Sequence, residues 1–404
     1  MSTVESRAVV ARARGTLPAL DSMRAVASVA VLATHASFWG GAYSREHYGT
    51  LLARLDIGVA IFFVLSGFLL SRGWFEQHAH RAPAPRTRVY LWHRLLRIYP
   101  VYAVAAVAAL VLLPGNDDAS LGTWVRTLTL TNVYVDSRLP DGLTQMWSLS
   151  TEVAFYLVLP LLMWLVLGRR ERLRPVLAGM VVLNVAWIVA AATVLSDTTA
   201  KVTTWLPSYL TWFGVGIVLA AAAVRLEAGP HAVGSLRVAE TLQRMGRSPG
   251  ACWVTALALF VIVATPIAGP ASLTPPAAGE AVVKNLVYAV TAGLVILPGV
   301  FAVPTGAYVT AMSWGPLRHL GRISYGIFCV HLVILELVAR WREMVLFEGR
   351  TLELFTLTLL ISVAVSEVLY RVVERPALRW KNAFDRSPSA TNASSTPSPA
   401  NTSS

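Results

Sequence analysis

The sequence predicts an all-α polytopic transmembrane helical bundle of about ten spans. Three observations carry that expectation. The chain is 55% hydrophobic but only 14% charged, where a soluble domain carries roughly 25% charged residues. Its apolar residues gather in runs long enough, or nearly so, for a helix through a ~30 Å hydrocarbon core. The runs are continuous, without the period-two alternation of barrel strands. The net charge of +12 does not indicate nucleic acid, because the arginines sit in short loops between apolar runs, the pattern that orients a membrane protein.

Taken in order, the spans cover 20–38, 56–73, 98–114, 147–167, 175–195, 205–224, 251–269, 284–304, 322–339 and 352–373. The first, "LDSMRAVASVAVLATH", has no short apolar core ahead of a small-residue cleavage site and is read as an uncleaved anchor. The second, "GVAIFFVLSGFLL", mixes small residues with bulky apolar ones, which predicts close helix packing at Gly67. The third is short and is entered by "HRLLRIYP"; the fourth opens on Trp147, suited to a membrane interface. The fifth, sixth and eighth are plainly apolar. The seventh and ninth carry Cys252 and Cys329, read as small buried hydrophobes, since no pair spacing suggests zinc or redox chemistry. The ninth also carries His331 and Glu336, and the tenth carries Glu367 and closes on "ERP" (Glu374 to Pro376), read as a cap or salt bridge.

Loop charge sets orientation. An N-in, C-in arrangement puts Arg72, Arg81, Arg86, Arg88, Arg94 and Arg97, with most other arginines, on the cytoplasmic side. It divides the chain into a cytoplasmic N-terminal segment (1–19), a membrane domain (20–380) and a disordered cytoplasmic tail (381–404), rich in Ser, Thr, Pro and Asn. The longest outer loop, about 115–146, includes "LGTWVRTLTLTNVYV", which reads as an interfacial or re-entrant segment that caps an outer cavity.

Ionisable groups inside spans are costly and point to function. On a helix turning 100° per residue, Asp21, Arg24 and His35 share one face of the first span. Arg24 and His35 are about 16 Å apart along the axis, a cation near the inner surface and a titratable base in the outer half. Asp21 is open between capping the helix and pairing with Arg24. Arg94 and Arg97, three apart on one helix side, suit bidentate phosphate contact, although positive-inside decoration gives the same pattern. Glu152 is expected in the outer half beside His35, where a carboxylate orients or charge-balances an imidazole, although a structural bond between helices fits equally. His331 reads as a core histidine, and Glu336 and Glu367 lack evident partners. No P-loop, Gly-x-Ser-x-Gly elbow or metal-ligand spacing occurs. A proton-coupled transporter or flippase using His35, Glu152 and His331 is the competing class, against which stands the lack of an internal repeat.

The stretches "LDSMRAVASVAVLATH", "GVAIFFVLSGFLL", "HRLLRIYPVY", "WSLSTEVAFYLVLP", "LRHLGRISYGIFCVH" and "YRVVERPALRW" together resemble the acyltransferase-3 family of integral membrane O-acyltransferases, in family order up to about Trp380. The resemblance implies transfer of an acyl group, commonly acetyl, from cytosolic acyl-CoA, without a metal, to a hydroxyl of a glycan, glycolipid or glycosylated natural product. It implies a multi-pass protein of the bacterial plasma membrane whose partners are acyl-CoA, a carbohydrate-type acceptor and the bilayer, with no nucleic acid. It casts His35 as the catalytic base, or as a nucleophile in a two-step route, and marks Glu152 as a functional position. Arg94 and Arg97 would contact CoA, with Arg24 a further functional position on that side. Three departures stand out: "LDSMR" for the common "LDGLR", Val153 and Ala154 where a second acid and a Gln are common, and Ala60 where "GVDIFF" has an acid. Many relatives add a C-terminal esterase-like domain; this chain is expected to be a standalone membrane module.

Overall fold

A computed structural model describes residues 17–384, apart from 46–47, 137, 169–170, 197, 199 and 272–273. The first sixteen residues, Arg169, Arg170 and the tail from residue 385 lie outside the described residues. Among the described residues every regular element is helical. The long helices are α1 (Pro18–Trp39), α2 (Ile57–Ala79), α3 (Thr87–Leu112), α4 (Trp147–Leu167), α5 (Leu173–Ala192), α6 (Leu210–Ala228), α7 (Leu236–Gly246), α8 (Pro249–Val263), α9 (Ala278–Phe301), α10 (Gly315–Trp341) and α11 (Thr351–Leu369).

Among the described residues eight helices are long and apolar enough to cross a membrane, or nine if α7 and α8 count as one broken span. Two of the ten expected spans depart from a plain apolar rod. The seventh span is not a single rod. Pro249 opens α8 just after Ser248, α7 and α8 meet at 89°, and α8 stops at Val263. Its 15 residues reach only about 22 Å. The other exception is α1, long enough to cross at 22 residues but outside the set that is apolar enough. The cause is its polar stripe, which α1 tolerates because it is enclosed. It packs against α2, α9, α10 and α11, so protein rather than lipid receives its side chains.

Close backbone approach holds the enclosure together. A Cβ at Gly67 on α2 would lie 2.3 Å from the Phe213 carbonyl oxygen of α6, and one at Gly216 on α6 would lie 2.2 Å from that of Val64. Only glycine on both sides permits this crossing, as the small-residue pattern predicts. A Cβ at Gly321 on α10 would lie 1.9 Å from the Asp21 carbonyl oxygen of α1, which fixes the register of these two helices.

Two connections dip into the bundle. After α3 the chain forms a short helix, Leu121–Leu128, capped by Ser120, whose Oγ accepts from the Thr123 amide at 3.1 Å. It then folds back along α3, so that Tyr102 donates its hydroxyl to the Thr127 carbonyl. Tyr102 lies ten residues inside α3, about 15 Å from its end. The re-entrant alternative therefore describes this segment better than the interfacial one. Between α1 and α2, the buried Arg54 donates to the carbonyls of Val263 (3.0 Å) and Ala268 (3.2 Å), satisfying the chain that leaves α8.

Candidate active site

The arginines predicted from spacing converge. Arg24 of α1, Arg94 and Arg97 of α3, Ser66 of α2 and Glu152 and Tyr156 of α4 line one cavity of about 100 Å³. Their electrostatic states differ. Arg97 donates to Glu374, which is 1% exposed and is presented by a π-helical turn, Tyr370–Glu374. The "ERP" segment is thus a salt bridge rather than a cap. Arg24 faces Asp21 at 3.5 Å, and no side-chain cap bond forms at the start of α1, so pairing is the role of Asp21. The buried Nε of Arg94 has no hydrogen-bond partner among the described residues.

Arg94 also borders a second pocket of about 490 Å³, which shares Leu69 and Leu70 with the first and opens between α2 and the start of α3. Two further buried polar atoms line it without a partner among the described residues, Gln77 Oε1 and the Tyr90 hydroxyl. Buried polar atoms are nearly always paired, and each one left unmade costs about 1–3 kcal/mol. Three of them around one pocket, one a guanidinium nitrogen, mark a place built to hydrogen-bond something else. His93 and Arg86 complete its basic rim.

Glu152 is not where sequence depth placed it. Its carboxylate accepts from Ser66 and from Tyr156 (2.8 Å) and lines the arginine cavity, while the hydrogen-bond partner of His35 is another residue. The reason is the dipping segment before α4. Gln145, at the threshold of α4, donates to the carbonyl of Cys329 at 3.2 Å, and Cys329 lies near the middle of α10. So α4 begins at mid-depth. Seven residues on, Glu152 is about 10 Å closer to the arginine end.

His35 instead pairs with His331, Nδ1 to Nε2, at 3.1 Å. His331 is 1% exposed, and its Nδ1 lies 2.8 Å from the Phe328 carbonyl and 3.1 Å from that of Ile327. A carbonyl only accepts, so Nδ1 of His331 carries the proton. In the neutral ring Nε2 is then an acceptor, and the His35 nitrogen facing it, Nδ1, is a donor. The only tautomer of neutral His35 that satisfies this bond leaves Nε2 with a free lone pair, which is the form of a general base. His35 is partly exposed where His331 is buried. The pair adjoins the arginine cavity through Phe328, which lines that cavity and packs on His331 with ring centroids 6.0 Å apart.

Residues 17–371 match the acyltransferase-domain model of the acyltransferase-3 family. The chain belongs to this family. Its acyltransferase domain is 31% identical over 171 residues to acyltransferase MdmB of Streptomyces mycarofaciens, covering 39% of this chain and 41% of that protein. It is 26% identical over 189 residues to the peptidoglycan O-acetyltransferase OatA of Listeria monocytogenes serovar 1/2a, covering 43% of this chain and 28% of that one. The chain thus spans less than half the length of these curated relatives. No solved structure matches it.

Within the acyltransferase domain, the other intramembrane acids have local partners. Glu336 accepts from the Gly142 amide at 2.7 Å, and Glu367 pairs with His319 (2.7 Å) and Arg371 (2.6 Å). Cys252 and Cys329 are buried and free. Sequence reasoning missed His331 as the partner of His35, because only the packing of α1 on α10 joins them. It also missed Asp56, which ends the 3-10 turn Arg54–Asp56 just before α2 and supplies a carboxylate four residues ahead of Ala60, where the chain departs from the family pattern.

Proposed function

We propose that the chain is an O-acyltransferase of the bacterial plasma membrane that moves an acyl group, acetyl foremost, from cytosolic acyl-CoA to a hydroxyl of a glycan, glycolipid or glycosylated natural product. The observation that carries this reading is the fixed tautomer of His35 beside a cavity lined by three arginines. The excess of positive loops puts the arginine end in the cytoplasm. There Arg94, with Gln77 and Tyr90, holds the phosphates and amides of CoA by charge-assisted and neutral hydrogen bonds. Arg24 and Arg97, each already facing a carboxylate, set the positive field without carrying the whole load.

The chemistry balances with this chain's own groups. His35 Nε2 takes the acceptor's hydroxyl proton as the oxygen attacks the acyl carbonyl carbon. The thioester C–S bond breaks, and the departing thiolate receives a proton from the His35 imidazolium. During the step the imidazolium charge is shared through Nδ1–H with His331, whose own Nδ1–H is anchored on carbonyls. Glu152 acts on the donor side, balancing the arginines.

The test is thiol release from acetyl-CoA by the detergent-purified protein with a permissive sugar acceptor. The expected result is acceptor-stimulated release that His35→Ala abolishes. Equal rates for the variant and the wild type would overturn the assignment of the base.

A further inference from the structure

A third pocket, of about 590 Å³, is bordered by Asp56 and Val59 at the start of α2, and no arginine is among its lining residues. We infer that it is the acceptor site, and that it receives a saturated ring whose rim carries hydroxyls, a sugar residue. This rests on the acyl-transfer reading above.

The walls of the pocket are aromatic. Trp147 and Tyr209 lie 5.1 Å apart, Tyr209 and Trp212 4.8 Å, and Trp212 and Tyr288 6.0 Å, giving one continuous row of rings. A ligand pocket of this size with apolar walls and a few placed polar groups is the usual form of a small-molecule site. Two of those polar groups are unmatched. Asn285, 6% exposed, donates from Nδ2 to the Ser208 carbonyl at 2.8 Å, but its Oδ1 has no partner among the described residues. The Ser208 hydroxyl, on a residue 4% exposed, has none either. An amide oxygen that must accept, beside a hydroxyl that can donate or accept, complements hydroxyl groups. The apolar C–H faces of a sugar ring suit the aromatic row, and its rim suits Asn285 and Ser208.

Asp56 accepts from Lys284 at 2.7 Å and from the Tyr288 hydroxyl, so that pair is neutralised within the pocket, and Lys201 is a further charged side chain on its lining.

Register brings the pocket to the catalytic level. Gly299 of α9 packs on Leu20 of α1. From that contact Asn285 lies about 21 Å up α9, and His35 lies about 22 Å up α1. Val59 lines both this pocket and the arginine cavity, so the two chambers share a wall. An acceptor hydroxyl seated here faces a donor arriving from the opposite side.

The experiment combines two readouts on the wild type and on the Ser208→Ala/Asn285→Asp double variant, each checked for an unchanged gel-filtration profile. One is calorimetric titration with methyl pyranosides of the gluco, galacto and N-acetylglucosamine series, without CoA. The other is glycoside-stimulated thiol release from acetyl-CoA. The expected result is that at least one glycoside binds and stimulates. In the double variant its Kd and KM rise about tenfold, with the KM for acetyl-CoA unchanged. Binding that the variant weakens, with no thiol release, sustains the pocket and defeats the acyl-transfer reading. Stimulated release with Kd and KM unmoved in the variant defeats the pocket and leaves acyl transfer standing. Neither binding nor stimulation by any glycoside overturns the sugar assignment.

Discussion

The arginine cavity and the aromatic pocket are built from overlapping helices yet prepare for opposite guests. In the first, Arg94 keeps an unpaired guanidinium nitrogen between two chambers, and the polar atoms without partners surround a positive centre. In the second, Asp56 pairs with Lys284, Lys201 is the remaining charged side chain of the lining, and the buried atoms left without partners among the described residues are a neutral amide oxygen and a neutral hydroxyl. A buried polar atom left unmade is costly, so its chemical type records the complementary group that belongs there. On the proposal above, the first end receives the anionic donor and the second the hydroxyl-bearing acceptor. The His35–His331 pair adjoins the first of them through Phe328.

The sharpest way to break the comparison is at that pair. His35→Ala should lower turnover by roughly 10²–10⁴-fold while leaving acetyl-CoA binding, measured by calorimetry, in place. Loss of both together would mean that His35 holds the bundle rather than serving both chambers. The two arginines of α3 should then separate by kind. Arg97→Ala strands the nearly buried carboxylate of Glu374; it should cost about 3 kcal/mol of stability, seen as a lowered Tm. An Arg97→Met/Glu374→Leu pair should recover much of that loss. Arg94→Ala should instead raise the KM for acetyl-CoA about tenfold or more, the worth of a charge-assisted hydrogen bond, with little change in Tm. If the two variants exchange these phenotypes, the assignment of Arg94 as the ligand-facing cation is wrong.

A smaller effect tests the tautomer. His331→Leu should reduce kcat about tenfold without changing either KM, and His331→Gln, whose amide oxygen can still accept from His35 Nδ1–H, should restore part of it. A purely structural role predicts no such difference between Leu and Gln.

Much of the arginine cavity was legible in the sequence. Arg24 lies on a helix of known period, Arg94 and Arg97 lie three apart, and their shared cavity follows from placing charged faces inward. The depth of Glu152 was not legible. Counting from a span boundary assumes that each helix starts at the membrane surface, whereas the segment from Leu121 to Met146 folds back and α4 starts at mid-depth beside Cys329. The pocket residues Ser208 and Asn285 carry no sequence signal, because a serine or an asparagine in an apolar span is ordinarily satisfied within its own helix or by a neighbour.

By itself the sequence determined the helical membrane class, the polar stripe on the first helix and the basic end, since composition and helical period are local properties that survive any packing. The tertiary structure decided which polar groups meet. Glycine contacts such as Gly321 against Asp21 set the axial register of α10 on α1. That register, invisible in either helix alone, brings His331 to His35 and decides which His35 nitrogen faces it.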